Sequence, residues 1–437
     1  MNFPMHRIIL PLTVCLFAAC KIFADGANVA PMILSLADAE KLALQNHPQI
    51  AAADYRALAA QEVVKETRAG FLPTINAYGN MVGAEERNAT IMAGSLNSSS
   101  AYDRVAGGLS GSLLLTDFGR TANLTASSKF QAQAEKQNAN ATREQVLLQV
   151  NVGYFSALEA QAILRVAQQT VATRQVLLDQ VSVLASNQLK SELDVSFVRV
   201  AVQESKLLLQ KAQNNADDAL TSLATALGYR EPRRFQLDEL SQSVFTNTND
   251  VSQLVETALA QRPELLSLRN EHAAAKKFAR SQIEARLPVL TAVGVMGDAP
   301  YHDSHLPDNY EVGGLQLSLP LFAGGLYSAR QHEAELRAQA DSELVRALEN
   351  NIVRDVHVAF LNVNTALEQL RTTEELVRNA AEAYDLAQAR YQIGSSSIVE
   401  LSQAQLSLTA AQIADANARY NVLIQQAGLN YQVGARR

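Results

Sequence analysis

The chain has 437 residues, 48% hydrophobic and 19% charged, enough for a large folded structure, and its formal net charge of −7 argues against a nucleic-acid partner. No basic block or interleaved aromatic pattern opposes that exclusion. Its two cysteines, Cys15 and Cys20, both lie near the N-terminus, so stability is expected to come from packing and not from an internal disulfide.

The N-terminus reads as an export signal. His6 and Arg7 precede Ile8–Ala19, an apolar stretch of signal-peptide length that is too short to span a bilayer as a helix. A cut after Ala24, with Ile22 and Ala24 in the two pocket positions, makes 1–24 the leader and 25–437 the mature protein. A competing reading takes Leu16 to Cys20 (Leu-Phe-Ala-Ala-Cys) as a lipoprotein box with Cys20 lipidated, although Phe17 stands where an aliphatic residue is usual.

A short helix is predicted over Leu36–Gln45, ending at the break marked by Pro48, and a medium helix over Gln49–Arg68. In Phe71–Gly83 the residues Ile75, Ala77 and Met81 alternate with Thr74, Asn76, Tyr78 and Asn80. That period of two predicts a strand, and Val105–Thr116 repeats it. Between them Ala84–Ala101, rich in Asn, Ser and Gly, reads as a loop. A long amphipathic helix then starts at Gly119, turns at Ser186–Ser191 and returns as a helix about half as long. The polar segment Glu231–Thr248, with Pro232, links this half of the chain to the second.

The same order of elements then recurs. A shift of 215 residues lays Ala43-Leu44 on Ala258-Leu259, Pro48 on Pro263 and Leu72-Pro73 on Leu287-Pro288. A shift of 206 lays Gly107-Gly108-Leu109 on Gly313-Gly314-Leu315, Gly119 on Gly325 and Val150 on Val356. The chain thus reads as repeat one (36–229), a linker (230–250) and repeat two (251–434). Strands are predicted at about 70–83, 105–118, 287–297 and 311–322, with a second polar loop at Asp298–Asn309. The last long helix, Leu326–Arg390, is roughly 100 Å at 1.5 Å per residue. It breaks at Tyr391–Ser397 and is answered by Ile398–Gln432.

Strands of this length cross a bilayer when tilted, and a polar face opposite an apolar one fits a water-filled lumen. Four strands hung on such long helices leave none to pack a soluble sandwich core. Nor can four close a barrel in lipid, which does not tolerate an open sheet edge, so several chains must combine.

On these grounds the sequence resembles the TolC-type outer-membrane efflux and secretion factors, over essentially the whole mature chain. The resemblance is carried by Leu34–Pro48, by the strand openings Gly70–Pro73 and Ala285–Pro288, by the strand ends Leu115–Arg120 and Leu319–Gly325, and by Tyr391–Gly394 followed by Ile398–Leu401. It implies an α+β fold with an internal two-fold repeat: long antiparallel helical hairpins form a periplasmic helical barrel, and four membrane strands per chain complete a twelve-stranded barrel in a homotrimer. It implies further a passive exit duct in the outer-membrane lipid, recruited through a periplasmic adaptor by an inner-membrane pump of RND, ABC or MFS type. In that family the helical turns form the periplasmic entrance, ringed by acidic residues.

Carried over by residue, Tyr391 and Gly394 match the gate turn, Glu400 takes the first acidic ring position and Asp194 matches the acid of the first-half turn. Two positions depart. Ser396 stands where some members have a gate-locking arginine, and Gln403 where they have a second ring carboxylate. The first-half turn, Ser186–Ser191, lacks the Tyr and Gly, so closure is expected to rest on Tyr391 and Asp194, with Lys190 a possible donor.

Catalytic signals are weak. His302, Asp303, His305 and Asp308 have ligand-like chemistry but read as a solvated loop. No Walker A loop, HExxH pair or GxSxG elbow occurs, so neither enzyme activity nor a cofactor or metal is expected. Two rival functions compete: a periplasmic coiled-coil adaptor or scaffold, which shares the long helices but not the strands, and an exported hydrolase, which needs a catalytic constellation.

Overall fold

The computed structural model describes residues 32–82, 90–91, 99–100, 104–233, 235–238, 250–302 and 307–434. The leader with Cys20, most of Ala84–Ala101, and Asp303 and His305 fall outside the described residues.

The chain begins with β1 (Met32–Leu34), α1 (Leu36–Asn46) and α2 (Pro48–Ala69). Ser35 Oγ starts α1 by accepting the Asp38 N–H at 3.2 Å, and Pro48 starts α2 where its missing N–H forfeits no helical bond. Next come β2 (Thr74–Val82), the short β3 (Thr90–Ile91) and β4 (Ser99–Ser100), and β5 (Arg104–Thr116). The helices α3 (Arg120–Ser186) and α4 (Glu192–Ala226) complete this half. After β6 (Phe235–Leu237) the second half runs α5 (Val251–Gln261), α6 (Pro263–Glu284), β7 (Val289–His302), β8 (Asn309–Ser318), α7 (Leu326–Gln392) and α8 (Ile398–Val433).

Helix lengths agree between the halves: 11 residues in α1 and α5, 22 in α2 and α6, 67 in α3 and α7, 35 and 36 in α4 and α8. At 67 residues each long helix spans roughly 100 Å, too far for one short partner to cover. The cover is therefore shared: α2 and α4 lie along α3, α6 and α8 along α7, and α3 also meets α6 and α8.

Both long helices start from left-handed backbone. Phe118 and Gly119 have φ of 54° and 106°, and Gly324 and Gly325, in the matching places, 58° and 84°. Glycine enters this region at little cost, whereas phenylalanine is strained there. Asp117 secures the first start, its carboxylate accepting the N–H groups of Gly119 (3.1 Å) and Thr121 (2.7 Å) and the Thr121 hydroxyl (2.5 Å). An acid there also meets the positive end of the helix dipole.

The main sheet has the order β2-β5-β7-β8, antiparallel throughout, with β2 and β8 at its edges. Residues opposite one another in the ladder share a face, which sorts Ile75, Leu109, Leu113, Met296 and Leu315 onto one side. Ile75 and Leu315 there are each 70% exposed. The other side carries Thr74 and Ser112, whose hydroxyls meet at 2.7 Å, and Tyr78 and Tyr310, whose hydroxyls meet at 2.8 Å. The two tyrosines reach each other over Gly108 and Gly297, which share their row of the ladder, and a Cβ on Gly297 would collide with the Tyr310 ring.

Midway along α3, a buried cluster joins Leu34, Leu36 and Ile50 to Val146, Val150 and Tyr154 of that helix and to Leu223 and Leu227 at the end of α4. The Tyr154 hydroxyl donates to the carbonyls of Leu34 (2.9 Å) and Asp238 (3.0 Å), and burial pushes its pKa up to about 12.

Four expectations need adjustment. Residues 230–250 hold a strand, β6, that pairs in parallel with β1 and buries Phe235 and Leu237; three-residue strands are too short to show a period. β7 continues past 297 to His302 because the ladder with β5 extends to Arg104, so Asp298–His302 is strand rather than loop. The chain through Gly70–Pro73 turns out of α2, so the first strand starts at Thr74 rather than about 70. β8 covers 309–318 rather than 311–322, since Pro320 offers no N–H to a ladder. Within Ala84–Ala101 the described part is the small β3–β4 ladder, Thr90 to Ser100 and Ile91 to Ser99.

Candidate gate at the helical turns

The two turns lie at the ends of α3 and α7 opposite the strands, roughly 100 Å from them along the helices. In the first, the chain leaves α3 through Asn187 and Gln188, the latter left-handed at φ 62°, and enters α4 through a reciprocal cap. Ser191 Oγ accepts the Leu193 N–H at 3.1 Å, while the Asp194 carboxylate accepts the Ser191 N–H at 3.2 Å. Asp194 is thus spent within its own turn.

The second turn takes the same course. Gly394 is left-handed at φ 77°, the Ser395 N–H donates to the Arg390 carbonyl at 2.9 Å, and Ser397 Oγ accepts the Glu400 N–H at 3.2 Å. The Ser396 hydroxyl donates to Glu400 Oε2 at 2.6 Å, and Arg390 Nη1 lies 3.5 Å from Glu400 Oε1. Glu400 therefore pairs with an arginine at the end of α7, while position 396 supplies a hydroxyl. Gln403, one turn further along α8, is exposed.

Beneath the turns, Val181, Val195 and Val198 pack against Ala387, Tyr391, Ile398 and Leu401 and fasten one hairpin to the other. Tyr391 is only 8% exposed, and its hydroxyl is buried without a hydrogen-bond partner. Burial, and next the nearby Asp194 carboxylate, raise the pKa of that hydroxyl. Lys190 crosses from the first turn so that Nζ sits 4.3 Å from the centre of the Tyr391 ring. It meets the ring face and not the hydroxyl.

Of the residues named from sequence, the structure thus brings Lys190, Asp194 and Tyr391 together across the two turns, and Ser396 with Glu400 within one. Arg390 and the valines were missed. A basic residue in the last turn of a helix was one available signal, and Val195, Val198 and Val202 at helical spacing another.

Above the cluster the seam turns polar. The Thr170 and Thr409 hydroxyls meet at 3.4 Å, and buried Arg174 donates to the Ala201 carbonyl at 2.6 Å, with Glu204 3.8 Å away. Desolvation lowers the pKa of this guanidinium, opposed by Glu204. In the strand region His302 Nε2 pairs with Asp308 Oδ1 at 2.8 Å, and among the described residues no group of three or more His, Cys, Asp or Glu is placed to hold a metal.

The profile of the family described as Outer membrane efflux protein matches residues 40–229 and 254–435. The outer membrane protein TolC of Salmonella enteritidis is 26% identical over 306 residues, 67% of this chain and 61% of that protein. The outer membrane protein TolC of Vibrio cholerae is 25% identical over 415 residues, 92% and 90% of the two chains. The match therefore spans about six-tenths of the Salmonella protein's length and nine-tenths of the Vibrio protein's. A crystal structure of a membrane protein from Pseudomonas aeruginosa superposes with a TM-score of 0.78 over 91% of this chain and 93% of that one, at 21% identity, a likeness of fold.

Proposed function

The chain belongs to the outer membrane efflux protein family, and from that premise we propose that it is the passive exit duct of a tripartite efflux pump or type I secretion system, moving small molecules or polypeptides outward. The observation that carries this reading is a four-stranded sheet with one apolar exposed face and two edges that no described strand pairs with, attached to helices of 67 residues. Lipid does not accept open edges, so copies join β2 to β8 around a lumen lined by the polar face. Three copies, as in the resemblance read from sequence, give twelve strands.

The helices support the same head-to-tail closure. α4 packs on α3 and α7 on α8, with α3 against α8, which leaves α4 and α7 as outer members. Leu193, Phe197, Val200 and Leu207 stand exposed on α4 at coiled-coil spacing, and Val358, Leu361, Leu376 and Leu386 stand exposed on α7. Covering one row with the other from the next copy makes a heterologous interface that closes into a ring.

In this reading the turns are both gate and docking tip. They form the end farthest from the membrane strands, the end that faces a periplasmic adaptor and an inner-membrane pump of RND, ABC or MFS type. Three copies of Glu400, with Gln403 behind, line the constriction and favour cations. Transport energy comes from the pump.

Fractionation with planar-bilayer recording tests the proposal. A heat-modifiable trimer in the outer membrane that conducts when purified is the expected result. A soluble, elongated, non-conducting protein would favour the scaffold instead.

A further inference from the structure

The geometry points to a cation–π latch between the two turns: the Lys190 ammonium clamps the face of the Tyr391 ring, and the ring rather than the hydroxyl holds the gate shut. The inference rests on the reading of the turns as gate and specifies the contact that closes it.

Three observations carry it. Lys190 Nζ lies 4.3 Å from the ring centre, inside the roughly 6 Å over which a cation is drawn to a ring's negative face. The hydroxyl that could have bonded across the turns has no partner. Finally, of the three turn carboxylates Asp194 is engaged with the Ser191 N–H and Glu400 with Ser396 and Arg390, and Glu192 makes no ion pair with Lys190. Among the described residues Lys190 has no carboxylate within ion-pair distance, so its partner across the turns is the ring.

The chemistry suits a catch that must release. A gap of about 2 Å carries the ammonium beyond useful range of the ring, and water then solvates it. The matching place in the second turn, 206 residues on, is the uncharged Ser396, so each chain carries one such clamp. A buried ion pair would instead leave a charge stranded on opening.

The test compares purified trimers in planar bilayers. Lys190→Gln should raise the time-averaged conductance by roughly threefold or more, and Lys190→Arg, which keeps a cation able to stack, should fall nearer wild type. Tyr391→Phe, keeping the ring, should open the channel less than Tyr391→Leu, which deletes it. Should Tyr391→Leu fail to assemble, the pair at the exposed turn, Lys190→Gln against Lys190→Arg, still decides. Equal opening by Tyr391→Phe and Tyr391→Leu, or no effect of Lys190→Gln, would overturn the latch. A parallel arm tests the gate itself: a bulky thiol reagent on Ser396→Cys should block conduction. Block there, combined with an inert Lys190→Gln, rejects the latch and keeps the gate; absence of block rejects both.

Discussion

Gln188 and Gly394 occupy the same place in the two helical turns, and both are left-handed, at φ 62° and 77°. The side chains that follow differ in kind, Lys190 against Ser396, or in partner, Asp194 against Glu400. One backbone therefore serves two chemistries. The first turn caps itself with its own acid and sends a cation outward; the second offers a ring and ties its acid to Arg390 and Ser396. The junctions at the other end of the helices show the same division, since Phe118 and Gly324 share a conformation that only the glycine adopts without strain. What the two halves share is geometry, and each side chain is free to differ where the backbone does not depend on it.

The sharpest break to this comparison is to remove the floor both turns stand on. Val198→Asp sets an unpaired carboxylate into the apolar cluster with Tyr391 and Leu401, and should cost about 3 kcal/mol or more. Proteolysis at the turns of the assembled protein should accelerate accordingly. A cleavage rate equal to wild type would show that the hairpins are held together elsewhere.

A smaller pair of effects sharpens it. Gly394→Ala should destabilise by about 1 kcal/mol, because a Cβ is disfavoured in left-handed backbone, although nothing lies within 4 Å to collide with it. Gln188→Gly should stabilise by about 0.5 kcal/mol, relief of strain outweighing the added freedom of the unfolded chain. Opposite shifts in thermal unfolding check the pair; shifts of the same sign would mean the turns are not conformationally equivalent.

Glu159 and Thr365 make the finest contrast. They match under the 206-residue shift and line one cavity of about 670 Å³ between α3, α7 and α8. Burial raises the Glu159 pKa above its ordinary value. A carboxyl raised in the fold contributes stability that is fully present below its unfolded pKa and lost as pH rises through the folded one. Glu159→Gln, which stays uncharged, should therefore raise the melting temperature at pH 7 relative to wild type and do so less at pH 4. An equal gain at both would assign the effect to packing instead of charge.

Much of this architecture was legible because it repeats and because it is long. An unbroken helical period from Leu326 to Arg390 has few other readings, and Gly119 and Gly325 mark helix starts that the structure places in left-handed backbone. Alternation gave the strands Thr74–Val82 and Arg104–Thr116 to within a few residues. Short or distant features stayed hidden. The β1–β6 pair joins three residues to three others about 200 positions away, with neither periodicity nor a turn to announce it. The resemblance drew attention to Ser396, where some members have an arginine, whereas the arginine beside Glu400 is Arg390, on the helix before the turn. The Lys190–Tyr391 contact depends on how two hairpins lie side by side, which no pattern within one helix encodes.

The gate proposed at the helical turns requires that the duct be narrowest there. Oriented trimers in a planar bilayer, with a trivalent cation added on the side of the helical tube, measure that directly. Wild type should be blocked, and Glu400→Gln should weaken the block by roughly tenfold while lowering cation preference, because in the proposed trimer the substitution removes three carboxylates from one narrow ring. Block and selectivity identical to wild type in Glu400→Gln would place the constriction away from the turns and contradict a gate built from them.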